Sequence, residues 1–472
     1  MKYSKKQLRK KNNRNSRKRI LRGGESIEIG GEMVDINKTM LDLSDRNLSE
    51  LTDDIGNLRN LTSLYLYRNQ ITKLPDNIGN LINLIKLDLG FNKLTKLPDT
   101  IRSLTNLINL VLNYNQLSEL TEEIGNLRKL IILELDNNKL KELPKEIGNL
   151  INLTSLSLSN NQLTTLPDNI GKLTQLEYLY LNDNQLTKLP DDIGKLTQLK
   201  YLYLNDNQLT TLPDNIGKLT QLKYLYLNDN QLTKLPRSIG DLINLTILSL
   251  YRNQLTELPD NIRKLTNLTS LYLNDNQLTE LPKEIGNLQK LLTLNLEHNQ
   301  LTTLPDDIGN LKMLTELLLN NNRLNILPEN LGKLGKLTRL NLGHNQLATL
   351  PPTIRNLHLI SLYLNNNQFT IFPDTITNLR HLRSLYLNNN QLTELPSTIT
   401  NLRNLLELDL ANNQLRVVPE NILTFVRNIR YSNLSNNPLN TRRFVPNRPT
   451  GVAYEIHNEF SDFDIEEYKK MV

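Results

Sequence analysis

The sequence predicts an α/β repeat fold, a right-handed solenoid with a concave parallel β-sheet and short helical or 3₁₀ segments on its convex side. Near-identical segments recur every 23 residues, as in LEYLYLNDNQLTKLP from Leu176, LKYLYLNDNQLTTLP from Leu199 and LKYLYLNDNQLTKLP from Leu222. One asparagine keeps its place in every copy from Asn69 to Asn345. Self-similarity at this period is typical of a stacked array, because each copy can bury its leucines only against its neighbours.

The asparagine marks the register of the copies. The series loses one residue before Asn367 and gains one before Asn437, and Arg46 replaces the asparagine in the first copy. Residues 38–440 therefore hold eighteen copies, seventeen of them with the asparagine. Because the side-chain amide both donates and accepts hydrogen bonds, we expect stacked asparagines to form a ladder that satisfies the buried backbone of the turn.

Each copy follows the pattern LxxLxLxxNxLxxLPxxIgxLxx, and each part predicts a local structure. The alternation in LxLxx indicates a short strand with leucines inward and the intervening residues outward. Proline follows in fifteen copies, from Pro75 to Pro419, and excludes a second central strand at that point. The IgxL segment spaces its apolar residues like one or two turns of helix or 3₁₀-helix on the outer side.

The two ends of the chain differ from the repeats. Residues 1–24 hold eleven basic and no acidic residues, which predicts a basic disordered tail. The other residues carry 44 Lys and Arg against 49 Asp and Glu, a net charge of −5. We expect residues 25–37 to form an N-terminal cap, and residues 441–472 to form a C-terminal cap or an acidic-aromatic tail.

The repeated motif resembles the leucine-rich repeat superfamily over residues 38–440. The 23-residue LPxxI form is similar to the intracellular Ras-group class and to many long microbial arrays. The resemblance implies a curved solenoid that binds proteins on its concave sheet. Extracellular relatives usually carry cysteine-rich caps, and this sequence has no cysteine. Bacterial members fused to a ubiquitin ligase need a catalytic cysteine, so that subgroup is excluded.

Composition also limits the chemistry. Without cysteine there can be no disulfide, thiol nucleophile, zinc–thiolate site or iron–sulfur cluster. The five histidines have no ligand partners at metal-binding spacing, and the recurrent Gly-Lys pairs lack the rest of a phosphate-binding loop. We therefore expect no enzymatic activity and no cofactor.

The sequence lacks membrane-spanning and secretory segments, and this absence determines the location that we expect. No apolar run reaches about 18 residues, so we expect no membrane span and no membrane contact. The basic N-terminus lacks the apolar stretch of a secretory signal. We expect an intracellular, cytoplasmic monomer, with the nucleus as the alternative location.

Residues that point outward from the strands carry the functional signal. Counted back from each repeat asparagine, the outward positions are six, four, two and one residues before it. Fourteen of the seventeen tyrosines fall there, together with thirteen acidic and four basic residues, a net charge of −9. The candidate protein-binding residues are Tyr178, Tyr180, Asp183, Tyr201, Tyr203, Asp206, Tyr224, Tyr226, Asp229, Tyr251, Tyr272 and Asp275.

Two interpretations of these residues remain open. Tyrosine is a favoured interface residue, which indicates a binding surface for a protein with a basic and aromatic or apolar surface. Tyrosine and asparagine are also good strand residues that ladder with themselves, and recent duplication copies any residue.

Three hypotheses of function follow. The first is a non-catalytic protein–protein interaction scaffold that binds a partner on its concave Tyr/Asn/Asp face. The alternative is a nucleic-acid-associated or nuclear protein that uses residues 1–24 for phosphate binding or targeting. The third is a largely structural or surface-recognition array with no fixed partner.

Overall fold

The computed structural model describes residues 26–439. The basic tail predicted at residues 1–24 and the cap or tail predicted at residues 441–472 lie outside the described residues. The described chain starts with an antiparallel hairpin of β1 (Ser26–Ile29) and β2 (Glu32–Asp35). Ile29 and Val34 of this hairpin are buried and belong to the same apolar core as the first repeat. Residues 26–35 thus cover one end of that core.

Eighteen parallel strands follow and form one long sheet on the concave side of a right-handed solenoid. Each is three residues long, which agrees with the short alternating segment of the motif. They are β3 (Met40–Asp42), β4 (Ser63–Tyr65), β5 (Lys86–Asp88), β6 (Asn109–Val111), β7 (Ile132–Glu134), β8 (Ser155–Ser157), β9 (Tyr178–Tyr180), β10 (Tyr201–Tyr203), β11 (Tyr224–Tyr226), β12 (Ile247–Ser249), β13 (Ser270–Tyr272), β14 (Thr293–Asn295), β15 (Glu316–Leu318), β16 (Arg339–Asn341), β17 (Ser361–Tyr363), β18 (Ser384–Tyr386), β19 (Glu407–Asp409) and β20 (Tyr431–Asn433).

The convex side consists of short 3₁₀ segments, as the spacing of the IgxL segment predicts. The proline of each LP pair usually stands just before such a segment; Pro190, for example, has φ −68° and precedes Asp191–Lys195. The segments are Asp53–Asn57, Asp76–Asn80, Asp99–Ser103, Glu122–Asn126, Lys145–Asn149, Asp168–Lys172, Asp191–Lys195, Asp214–Lys218, Arg237–Asp241, Asp260–Lys264, Lys283–Asn287, Asp306–Asn310, Glu329–Lys333, Pro352–Asn356, Asp374–Asn378 and Ser397–Asn401. An α-helix, α1 (Glu420–Asn428), takes this place in the copy that is one residue longer.

Pairing in the sheet joins each strand to its neighbours in the chain. Leu202 of β10, for example, is in register with Leu179 of β9 and Leu225 of β11. These leucines are fully buried, because the motif directs them between the sheet and the 3₁₀ segments. Among the described strands, β3 and β20 each have one neighbour in this sheet, so the sheet is open at both ends.

The repeat asparagines form the predicted ladder. The Nδ2 of Asn207 donates to the carbonyl oxygens of Leu181 at 2.9 Å, Leu204 at 3.1 Å and Asn205 at 3.2 Å. Its Oδ1 accepts from the backbone N–H of Leu186 at 2.9 Å. Leu181 and Leu186 belong to the preceding copy, so each asparagine connects two copies as well as closing its own turn.

The residue just before each asparagine has a backbone conformation that the motif does not reveal. From Asp45 to Asn436 its φ lies between 49° and 56°, in the left-handed region, although none of these residues is glycine. Asparagine and aspartate tolerate this region better than other non-glycine residues. Phe91, Tyr114 and Arg252 also adopt it, and so does Asp45 in the copy where Arg46 replaces the asparagine, which shows that the repeated turn rather than the type of residue sets this conformation.

We expect Asn160→Val to lower the free energy of unfolding by about 1–2 kcal/mol, because a β-branched residue is strained at the φ of 54° found there. Asn160→Gly should change it by less than about 0.5 kcal/mol, since glycine accepts positive φ. Urea denaturation of both variants measures the difference. Equal losses would contradict a left-handed residue at this position.

Candidate functional site

Six tyrosines form a patch of two stacked columns on the concave sheet. In the first column, ring centroids lie 4.7 Å apart between Tyr178 and Tyr201 and 4.8 Å apart between Tyr201 and Tyr224. In the second column the centroid distances are 5.0 and 4.7 Å, and the rings are inclined by 21° and 10°. The tyrosine patch consists of Tyr178, Tyr180, Tyr201, Tyr203, Tyr224 and Tyr226.

The parallel register produces this stacking. Neighbouring strands lie about 4.8 Å apart, which is also a suitable separation for offset aromatic rings. Because β9, β10 and β11 share the sequence Tyr-Leu-Tyr, the leucine of each strand enters the core and both tyrosines face out. All six rings are half-buried against each other, so the patch presents an ordered aromatic surface.

Aspartates border the patch at the left-handed position before each asparagine. Asp183 and Asp206 are exposed, and Asp229 is half-buried. The Nδ2 of the preceding asparagine donates to each carboxylate, at 2.7 Å for Asp183, 2.8 Å for Asp206 and 3.0 Å for Asp229. Partial desolvation of the Asp206 carboxylate raises its pKa, and the charges of Asp229 and Asp183 raise it further, while the hydrogen bond from Asn205 lowers it. The border is therefore a row of mutually repelling negative charges.

The two tyrosine columns end at β12. In the strand register Ile247 follows Tyr224, and the buried Ser249 follows Tyr226. Tyr272 lies beyond Ser249 in the second column. The aromatic surface thus narrows after the third tyrosine of each column.

The other candidates lie just beyond that end. Tyr251 follows β12, and the guanidinium of Arg252 lies 5.9 Å from the centre of its ring. Arg252 also pairs with Asp229 at 3.4 Å. Asp275 accepts a hydrogen bond from Asn274 at 2.8 Å. The structure therefore groups the first nine sequence candidates tightly and places Tyr251, Tyr272 and Asp275 at their margin.

Two aromatic groups outside the sequence candidates also lie on the concave side. Phe91 stacks on Tyr114 at 4.0 Å and meets the edge of Tyr67 at 5.3 Å. Tyr363 stacks on Tyr386 at 4.9 Å. The Tyr386 hydroxyl donates to Glu407 at 2.8 Å, and burial together with this carboxylate raises the pKa of Tyr386. Phe91 could have been found from its position before an asparagine, which it shares with Tyr114.

Two further features were sought between residues 26 and 439: groups of metal ligands and membrane-spanning helices. No group of three or more His, Cys, Asp or Glu side chains is placed there to hold a metal ion. None of the helices described is long and apolar enough to span a bilayer.

The comparison with protein families identifies the fold by sequence. A profile described as "Leucine-rich repeat region" matches residues 39–136, 109–177, 145–222 and 213–294. The chain belongs to the leucine-rich repeat family. A second profile, described as "Leucine rich repeat", matches residues 266–324, 335–392 and 380–439. A comparison with curated proteins found no match.

Solved leucine-rich repeat structures resemble the chain over most of its length. A leucine-rich repeat protein of Leptospira interrogans is 42% identical, with a TM-score of 0.68, and the match covers 83% of this chain and 94% of that protein. Toll of Drosophila, solved in complex with Spatzle, is 27% identical with a TM-score of 0.68, over 86% of this chain and 59% of that chain. The Arabidopsis receptor kinase HAESA was solved in complex with the peptide hormone IDA and the co-receptor SERK1. It is 29% identical with a TM-score of 0.52, and the match covers 85% of this chain and 79% of that chain.

Proposed function

We propose that the protein is a non-catalytic interaction scaffold that binds a protein partner on its concave sheet, through the tyrosine patch and its aspartate border. The observation that carries the proposal is the pair of stacked tyrosine columns. Stacked rings have little rotamer freedom left to lose, so a partner that contacts them pays a small entropic cost. Large aromatic surfaces of this kind are enriched in protein interfaces.

The chemistry of the patch favours a partner with exposed arginine or lysine next to aromatic or apolar side chains. Tyrosine faces attract cations, and the aspartate border adds charge complementarity. The molecule already contains such contacts: Lys86 Nζ lies 5.0 Å from the centre of the Tyr65 ring, and Arg252 lies over Tyr251. In the tyrosine patch the stacked rings cover one another's faces, so a basic side chain of a partner would meet a ring face at the ends of the columns and the aspartate border along their length.

Relatives of known structure support the class of partner. Toll is seen in complex with Spatzle, and HAESA in complex with the peptide hormone IDA and the co-receptor SERK1. Both carry a leucine-rich repeat solenoid similar to this one. We extend from these cases only the nature of the ligand, a protein or peptide.

Selection of peptides from a random library displayed on phage, with the full-length protein immobilised, tests the proposal. We expect the enriched peptides to combine Arg or Lys with aromatic residues. The combined variant Tyr180→Ala, Tyr203→Ala and Tyr226→Ala should bind these peptides about tenfold more weakly or worse, because it removes one whole column. Circular dichroism should show that the variant remains folded, since these side chains point away from the core.

The matched control replaces three lysines at the ends of 3₁₀ segments, Lys172→Ala, Lys195→Ala and Lys218→Ala. Lys195 and Lys218 belong to the copies of β9 and β10, and Lys172 belongs to the copy before them; all three are exposed on the convex side. The control should retain the affinity of the unmodified protein. A folded tyrosine variant with unchanged affinity for every selected peptide would exclude the patch as the binding site.

A further inference from the structure

A second part of the concave sheet, distinct from the tyrosine patch, has an unusual distribution of charge. This amino-terminal face comprises the outward residues of β4 to β8 and of the turns that follow them. It carries the acids Asp88, Glu134 and Asp136 near its centre. Burial raises the pKa of Glu134, and the charges of Asp136 and Asp88 raise it further. Burial also raises the pKa of Asp136.

The basic residues of this face are already engaged. Arg68 pairs with Asp45 at 3.6 Å, and Lys86 lies over the Tyr65 ring. Among the ion pairs found between residues 26 and 439, none involves Asp88, Glu134 or Asp136. The acids at the centre therefore lack a neutralising ion pair within the described residues.

Two side-chain acceptors on the same face also lack donors. The Oδ1 atoms of Asn109 and Asn113 are buried and receive no hydrogen bond from the part of the chain that the structure describes. Both belong to the copy that contains β6, between Asp88 of β5 and Glu134 of β7. Buried polar atoms normally have partners, so these two oxygens are exceptions, whereas Asp88 accepts from the Gly90 N–H and Asp136 accepts from Ser157 and Ser159.

Apolar side chains border the acidic centre on both sides. Phe91 and Tyr114 stand at the end of the strands, 37% and 46% exposed. At the start of the strands Ile85, Ile108 and Ile131 form a column, 43%, 36% and 39% exposed. A ligand that complements this face has several basic groups and a few apolar side chains.

Residues 1–24 of the same chain have this composition. They contain eleven basic residues and no acid, together with Leu8, Ile20 and Leu21. The described chain begins at Ser26, which pairs with Asp35 shortly before β3. Four strand spacings separate β3 from β7, on the order of 20 Å. Nine residue steps separate Arg17 from Ser26 and can span about 30 Å, so the tail is long enough for its basic run to lie over the acids.

We propose that residues 1–24 bind across the amino-terminal face, with basic residues from Arg17 to Arg22 over Asp88, Glu134 and Asp136, and with Ile20 and Leu21 against the isoleucine column. This contact supplies the positive charges that would pair with the three acids. It leaves the tyrosine patch, which starts at β9, open to a partner. The inference is independent of the function proposed for that patch.

Pulsed electron paramagnetic resonance on the full-length chain tests the contact. Because the chain has no cysteine, Ser16→Cys and Thr174→Cys introduce two unique sites for spin labels, and Thr174 is exposed, two residues after the 3₁₀ segment of the copy that contains β8. At low salt we expect one narrow distribution of distances between the labels. It should broaden in about 0.5 M salt, where screening shortens the range of charge attraction. A broad distribution at low salt would overturn the proposal.

A pair of charge-matched variants identifies the surface. Asp88→Asn, Glu134→Gln and Asp136→Asn together should abolish the narrow distribution at low salt. Asp260→Asn, Asp306→Asn and Glu329→Gln remove three charges from exposed first residues of 3₁₀ segments and should preserve it. The same result for both triple variants would contradict binding on this face.

A control distinguishes binding within one chain from binding between two copies. It mixes chains labelled only at residue 16 with chains labelled only at residue 174. The proposal predicts no defined distance in this mixture. A narrow distribution between separate molecules would mean that the tail binds a second copy, and would overturn the proposal as stated.

Discussion

Asn207→Ala is expected to lower the free energy of unfolding of the central repeats by about 1–3 kcal/mol. The substitution leaves the buried N–H of Leu186 without its partner. The carbonyl oxygens of Leu181 and Leu204 each lose one hydrogen bond but still accept from Asn184 and Asn230. One unsatisfied buried group costs about 1–3 kcal/mol. Urea denaturation followed by circular dichroism measures the loss.

Asn205→Ala is the matched control for this prediction. Asn205 lies two residues earlier in the same turn, is partly exposed, and donates its side-chain hydrogen bond to the exposed Asp206 at 2.8 Å. We expect its substitution to change the free energy of unfolding by less than about 0.5 kcal/mol. If both variants lose the same stability, the ladder does not hold the turns together.

Leu202→Ala is expected to lower the free energy of unfolding by about 3–4 kcal/mol. Leu202 is fully buried and is in register with Leu179 and Leu225. Its truncation removes buried apolar contacts and leaves a cavity that the two neighbouring copies restrict from collapsing. Gln208→Ala, at an exposed position of the same copy, should have almost no effect. A loss below about 1 kcal/mol for Leu202→Ala would show that the repeats relax around the cavity.

Much of the fold could be predicted from the period alone. The LxL segment predicts a three-residue strand, and its repetition every 23 residues predicts the register that places Leu202 between Leu179 and Leu225. The asparagine ladder follows in the same way. Stacking in the tyrosine patch follows too, because identical residues in register must lie one strand spacing apart.

The turns after the strands were less predictable. The left-handed conformation before each asparagine is a property of the repeated turn, and period-two alternation says nothing about side-chain direction there. Stacking of Phe91 on Tyr114 depends on that direction. The pairing of Arg68 with Asp45 and of Arg252 with Asp229 also joins residues of adjacent copies at this position. The orphan acceptors of Asn109 and Asn113 depend on rotamers that no pattern specifies.

The strict neighbour-to-neighbour pairing of the sheet makes copy number an evolutionary variable. An in-frame gain or loss of 23 codons leaves every strand with a partner of the same kind on each side, as β10 has in β9 and β11. The near-identity of those three copies is what recent unequal recombination would leave behind. Each gain of such a copy would lengthen both tyrosine columns by one ring, and each loss would shorten them by one. Selection could therefore widen or narrow the recognition surface by changing the number of copies, without any amino-acid substitution within a copy.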